Sequence, residues 1–349
     1  MADFVAHSAA QSSAQSTGGP VTSPTGRVDS NNGRSSPIFG QVYWAPTKSL
    51  WITFIYAGAI LGGYATFSWS ALLLCMLTTV ITLCAGYSVG IHRRLIHRSF
   101  QCPQRLENLL VYLGVLTGIG GPFALVGRHD MQDWAVRSPR CHSYFSRHHN
   151  IFKDWAWMLH CDIELTYPPI LNYEPRLAKS RFYQWLQQTW MLQQLPLAIA
   201  FYHFGGWSWV FWGVYVRIAL SVTGHWLLGY LAHHVGDHPR WMQGASAQSY
   251  NVPFLGLLTL GECWQNNHQA FPSSAMLGHQ PKQYDPGWWL IKAFDYVGLA
   301  WNIKRPGKRV LNRVKRPIAP KSPALQPPPL STRLPKPTSV ESRQKVTTS

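Results

Sequence analysis

The chain has 349 residues, 46% of them hydrophobic, and a formal net charge of +17. That length and apolar content suit one sizeable domain with flexible ends. Six cysteines without a CxxC pairing argue against a disulfide framework or a zinc ribbon, and no nucleic-acid-binding module accompanies the basic charge.

Residues 1–45 are rich in Ser, Gly and Pro and poor in bulky apolar side chains, so a disordered N-terminal tail is expected. The first residues lack the apolar core of a cleavable signal peptide, and the first apolar span is expected to insert as a signal-anchor. Between Lys48 and Arg93 there is no Asp, Glu, Lys or Arg. A helix rises about 1.5 Å per residue and needs roughly 20 residues to cross a bilayer. This stretch therefore predicts two spans, near 49–68 and 71–91, turning at Ser68–Ser70. The uncharged segment Asn108–Gly127 is broken by Gly118, Gly120, Gly121 and Pro122. It is expected to lie at the interface or under the cap, because a crossing would part the two histidine-rich regions.

Two further uncharged stretches, Phe182–Val216 and Ile218–Gly236, are separated only by Arg217. They predict a second hairpin, over about 188–210 and 212–234. The expected fold is an all-α membrane protein: four transmembrane helices in two hairpins, with a cytosolic helical cap, over residues 46–302. Two hairpins leave both termini and the soluble regions on one face. Arg93, Arg94, Arg98, Arg105 and Arg128 make that face basic, hence cytoplasmic. The tail, 303–349, is basic and Pro-rich; from Lys304 to Ser349 it carries twelve Lys or Arg against Glu341 alone. Its composition reads as a solvated, disordered segment, and its charge also suits anionic lipid headgroups.

Fifteen histidines are present, several of them where the apolar stretches end. Imidazoles converging on one side of a membrane point to a nitrogen-ligated metal: iron, zinc or copper. His92 and His97 lie in HRRLIHRSF (92–100). Five α-helical steps put them about 140° apart, so on a regular helix they face different directions and would ligate separate ions, or one ion where the helix ends. His129, His142, His148 and His149 lie in RHDMQDWAVRSPRCHSYFSRHHN (128–150), which alone reads equally as a loop with surface histidines. His233 closes the predicted fourth span, and His268 lies in GECWQNNHQAFP (261–272). Glu262 is placed to hold a ligand imidazole as a supporting carboxylate.

HRRLIHRSF resembles the first histidine box, HRxxxHR, of membrane acyl-CoA and acyl-lipid desaturases of the Δ9 type. GECWQNNHQAFP resembles their third box, GExxHNxHHxFP. DWAVRSPRCH (133–142) stands where the family has EWxRDHRxHH, and GYLAHHVG (229–236) resembles NSxAHxxG. YPPILNYEPRLAKSRFYQ (167–184) is similar to the segment that joins the second box to the second hairpin. The likeness covers about residues 49–302. It implies an O2-dependent oxidase that desaturates a fatty acyl chain, carried on CoA or lipid, at a site holding two irons. It also implies a separate ferredoxin- or cytochrome b5-like electron donor.

By position, His92, His97, His142, His233 and His268 match five of nine histidine ligands. Ser138, Cys141, Gln265 and Gln269 stand at the other four, and Gly229 replaces an asparagine that holds a water ligand. An amide oxygen is a weaker, neutral donor than imidazole. The unmatched His129, His148 and His149 lie in the same loop, so a rearranged site is conceivable, with Asp130 as carboxylate partner to His129. Two competing readings are a non-catalytic desaturase-like protein that binds lipid or regulates a true desaturase, and a membrane hydrolase with a redox-silent metal. Trp134 and Trp264, inside the box-like motifs, are expected to pack the site.

Overall fold

A computed structural model describes residues 23–30, 33–307 and 311. The expectations for residues 1–22 and for most of the basic tail lie outside the described residues. The described chain is mostly helical, with two small two-stranded sheets.

Two N-terminal strands come first, β1 (Val28–Asp29) and β2 (Ser36–Trp44). Helix α1 (Pro46–Ala57) continues through Gly58–Gly62 to Ala65, and α2 (Trp69–Ile81) runs on in wider π-type turns over Thr82–Ile96. The Oγ of Ser68 caps α2 by accepting from Ala71 N at 3.2 Å, which sets the turn between them. The continuous helix Trp69–Ile96 is long and apolar enough to cross a membrane.

Helix α3 (Gln104–Val115) packs along the lower half of α2 through a seam of small residues. A Cβ on Gly90 would lie 2.6 Å from the Leu110 backbone, and Gly86 and Gly114 meet across the same seam. Backbones can approach this closely only where side chains are missing. The seam accounts for the apolar Asn108–Gly127 segment: its side chains Val111 and Val115 join Ile91, Leu95 and Ile96 in a buried cluster.

Helices α4 (Pro122–Arg137), α5 (Ser143–Ser146) and α6 (Ile151–His160) follow, then strands β3 (Cys161–Tyr167) and β4 (Ile170–Leu171). After α7 (Pro175–Ala178) and α8 (Arg181–Thr189) comes α9 (Gln194–Val210), which breaks at Gly206 (φ 61°, ψ −158°). Beyond that glycine the chain runs on helically through Phe211–Val216 into α10 (Arg217–His234), so the turn expected near 210–212 falls at Gly206. Two late helices, α11 (Gln265–Ala270) and α12 (Pro286–Tyr296), complete the described elements. Phe201, Val210, Val214 and Ile218 pack with Ile52 and Ile55 of α1. Arg217, the one charge in the second apolar region, is buried and spends its donors on the carbonyls of Gly213 and Leu116 and on Gln194 Oε1. A cation survives in such surroundings only when its donors are met in this way.

The N-terminal segment differs from the disorder expected of residues 1–45. β2 pairs antiparallel with β3, from Gly40 opposite Leu165 to Trp44 opposite Cys161, and β1 pairs with β4. Arg27 is buried, 3.2 Å from Asp130 and 2.9 Å from Glu174, and donates to the carbonyls of Leu95 and Ile96. Backbone ladders and ion pairs hold this segment, together with Val28 and Val42, which pack with Trp134 and Leu165. Composition registers apolar faces and misses such anchors.

Candidate metal centre

His92 lies in the last turn of α2, and His97 follows its end. The amide of His97 donates to the carbonyl of His92 at 3.1 Å, a bond spanning five residues. This is the π pattern, whose wider turn stacks residues five apart. The two rings therefore share one side, with centroids 5.0 Å apart, rather than pointing about 140° apart as an α-helix requires.

Two other helices bring one imidazole each. His129, from α4, places its Nε2 3.3 Å from Nε2 of His97; His268, from α11, places its Nε2 3.2 Å from Nε2 of His92. One nitrogen from each of these four rings lies within 4.8 Å of all the others. His92, His97 and His268 are buried, and His129 is nearly so. Nitrogens facing nitrogens in a closed pocket leave lone pairs directed at a common point.

Glu262 places a carboxylate oxygen 2.7 Å from Nδ1 of His92, at the far side of the ring from the cluster. Ser88 Oγ donates to the other oxygen at 2.5 Å, and Arg93 lies 3.6 Å from it. Burial raises the Glu262 carboxyl, yet its contacts with His92, Arg93 and the Ser88 hydroxyl bring it down to about 2. Arg93 is itself fixed by Asp285 at 2.7 Å and by the Ala275 carbonyl at 2.9 Å. His97, His129 and His268 are held well below the ordinary imidazole range, by burial first and by neighbouring imidazole and arginine charges second. They are therefore neutral, the form in which imidazole binds a metal.

Residues 67–301 match the pattern of the fatty acid desaturase family. An sn-1 stearoyl-lipid 9-desaturase of Anabaena variabilis is 32% identical over 274 residues, covering 77% of this chain and 96% of that protein. An acyl-CoA C20 Delta5-desaturase of Anemone leveillei is 32% identical over 278 residues, covering 76% and 84%. The Delta-9 acyl-lipid desaturase 2 of Arabidopsis thaliana is 33% identical over 246 residues, covering 69% and 76%. The chain belongs to the fatty acid desaturase family. It is thereby an oxidoreductase of lipid metabolism.

Of the histidines expected in this desaturase-family site, His92, His97 and His268 come together with the unmatched His129. The others lie elsewhere. His142 caps α5, its Nδ1 accepting from Tyr144 N at 3.1 Å, and its ring stacks on Trp157. His149 lies 3.0 Å from the buried carboxylate of Asp154. His148 is exposed, and His233 is half-buried on α10 with an unpartnered Nδ1. Asp130 is 4.0 Å from Nδ1 of His129 and pairs instead with Arg27 and Thr25.

The four positions where the family resemblance implies further histidines make structural bonds. Ser138 donates to the carbonyl of Trp134 and Cys141 accepts from Ser246. Gln265 donates to the Glu262 carbonyl, and Gln269 ties Ser249 and Ala247 to α11. Trp134 and Trp264 are buried, Trp134 in a cluster with Val28, Tyr144 and Leu165 and Trp264 in one with Ala232, Cys263 and Leu277. Arg27, Ser88 and Arg147 carry no signal in the sequence, because their partners lie tens of residues away or more, except for Asp154 beside Arg147.

Four imidazole nitrogens facing one point, three of them on rings held neutral, suit one transition-metal ion, iron included. Among the described residues this is the single cluster of that kind. The donor set thus fits one of the two irons that the resemblance implies.

Proposed function

We propose that this chain is a membrane-bound fatty acyl desaturase. It removes one hydrogen from each of two adjacent acyl carbons; with dioxygen, two electrons and two protons, this yields a double bond and two waters. The observation that carries the reading is the four-imidazole cluster inside a chain of this family. His92, His97, His129 and His268 would hold iron, which supplies the dioxygen-dependent oxidising chemistry. Glu262 fixes the ring of His92 through Nδ1, and Ser88 and Arg93 fix Glu262. The relatives' names divide between acyl-lipid and acyl-CoA substrates, so the acyl chain is the common element. The electrons come from a separate ferredoxin- or cytochrome b5-like donor.

The same reading places four spans in the bilayer: α1 with its extension, α2, α9 up to the break at Gly206, and the helix that runs from there through α10. Ile60, Leu61, Leu73, Ile199 and Phe204 expose two-thirds or more of their surface on these helices. Water would penalise such a band, whereas acyl chains accommodate it. The histidine end carries the arginines and so faces the cytoplasm with both termini.

Expression in a host deprived of its own acyl desaturase tests this. Fatty acid methyl esters analysed by gas chromatography should show a new unsaturated acyl chain with oxygen, absent from the His268→Ala variant. No product from iron-loaded protein supplied with either class of donor would overturn it. The reading then left is a non-catalytic desaturase-like protein, which the structural bonds of Gln265, Gln269, Ser138 and Cys141 favour.

A further inference from the structure

Arg147 follows α5 in a left-handed backbone conformation, with φ of 56°, and its side chain turns inward. Its Nε donates to Asp154 Oδ1 at 3.0 Å, an Nη donates to Asp154 Oδ2, and an Nη reaches the Trp226 carbonyl of α10 at 3.2 Å. Asp154 is wholly buried and also accepts from Trp226 Nε1 at 2.8 Å, with His149 Nε2 3.0 Å from Oδ1. This carboxylate is therefore fully used.

The guanidinium lies against α10 at Gly229. A Cβ built on that glycine would collide with an Nη, so the helix face is shaped around the cation. One turn further along α10 is His233, which lies within reach of the Arg147 charge. Gly229 and His233 are the positions that the family resemblance assigns to a water-holding side chain and to a metal ligand. His142, the matched ligand of the second box, is turned to Tyr144 and Trp157 instead.

We propose that the Arg147 guanidinium, clamped by Asp154, takes the place of a second metal ion, so that this chain carries one ion, at His92, His97, His129 and His268. The inference rests on the reading that those four imidazoles hold a metal. Three physical terms favour one ion. The space beside Gly229 is filled by Nη. A divalent ion there would face a buried like charge, unscreened by water. Several donors it would need are spent: Asp154 on Arg147 and Trp226, His149 Nε2 on Asp154, and His142 Nδ1 on a backbone amide, while His233 keeps its Nδ1 unpartnered.

The test is metal stoichiometry in the purified full chain. Protein produced in iron-supplemented medium is assayed by elemental analysis, and metal-free protein is titrated with Co(II) while its visible absorption is followed. One iron per chain and saturation at one equivalent of cobalt are expected, with loss of nearly all the metal in His129→Ala and in His268→Ala. Monodisperse elution of the variants controls for misfolding. Electron paramagnetic resonance of the Mn(II) form should show isolated ions with no spin coupling. Two ions per chain, or a coupled pair, would overturn the inference while leaving the metal reading intact. An ion retained in both histidine variants overturns the assignment of its place, and no ion under any condition overturns both.

Discussion

His129 is the side chain on which the candidate centre turns, because it supplies a nitrogen that no motif position supplies. It meets His97 from α4, across a contact that spans 32 positions in sequence. If it completes the donor set, His129→Ala should lower metal affinity as severely as His92→Ala, read by competition with a chelator of known affinity. An outlying surface histidine such as His148 should leave affinity unchanged when replaced. Glu262 acts at one remove, by orienting the His92 ring. Supporting carboxylates of this kind are worth about 10–100-fold in metal affinity. Glu262→Gln should therefore weaken binding by that order while leaving the number of ions per chain as it is.

At the level of elements, the π-type end of α2 and its seam with α3 set the register of the site. The wider turn brings His92 and His97 to one side, and the glycines let α3 press against α2 beneath them. Gly90→Val would drive methyl groups into the Leu110 backbone. Overpacking of this kind costs typically about 1–3 kcal/mol. A lower thermal midpoint in detergent is expected, with no comparable effect from Gly224→Ala, where nothing lies within 4 Å. The N-terminal segment is a second such element. Arg27→Ala would leave Asp130 buried without its cation, beside His129. Breaking a buried pair by removing one partner costs about 3–5 kcal/mol. The thermal midpoint should fall further than for Lys48→Ala, whose pair with Asp162 is partly exposed.

Over the whole molecule, the imidazoles, the carboxylates behind them and the buried arginines form one block at the end of the apolar helices. A ligand that binds only the folded chain stabilises all of it. Metal-loaded protein should therefore unfold at a higher temperature than chelator-treated protein, and His268→Ala should erase the difference. Equal midpoints for loaded and stripped wild-type protein would mean that the cluster holds no ion. The exposed apolar band on α1, α2, α9 and α10 belongs to this scale too, and the proposed lipid phase around the helices would accommodate it.

The sequence by itself determined the charge-free stretches, the approximate place of the apolar helices, the motifs of the desaturase family and, by motif, three members of the imidazole cluster, with His129 only an unmatched candidate. These are local properties: an apolar run or a histidine beside Glu262 is visible without knowing what it touches. Only the tertiary structure decided which histidines meet. His92 and His268 are 176 positions apart, and His129 enters from a helix that no motif marks as a donor. Spacing left open whether His92 and His97 serve one ion or two, because α-helical turns separate them and only the widened backbone brings them to one side. The N-terminal strands and the Arg147 clamp were hidden for a related reason. Their stability comes from ion pairs and backbone ladders closed by the fold, and a linear pattern records apolar faces far better than the partners of buried charges.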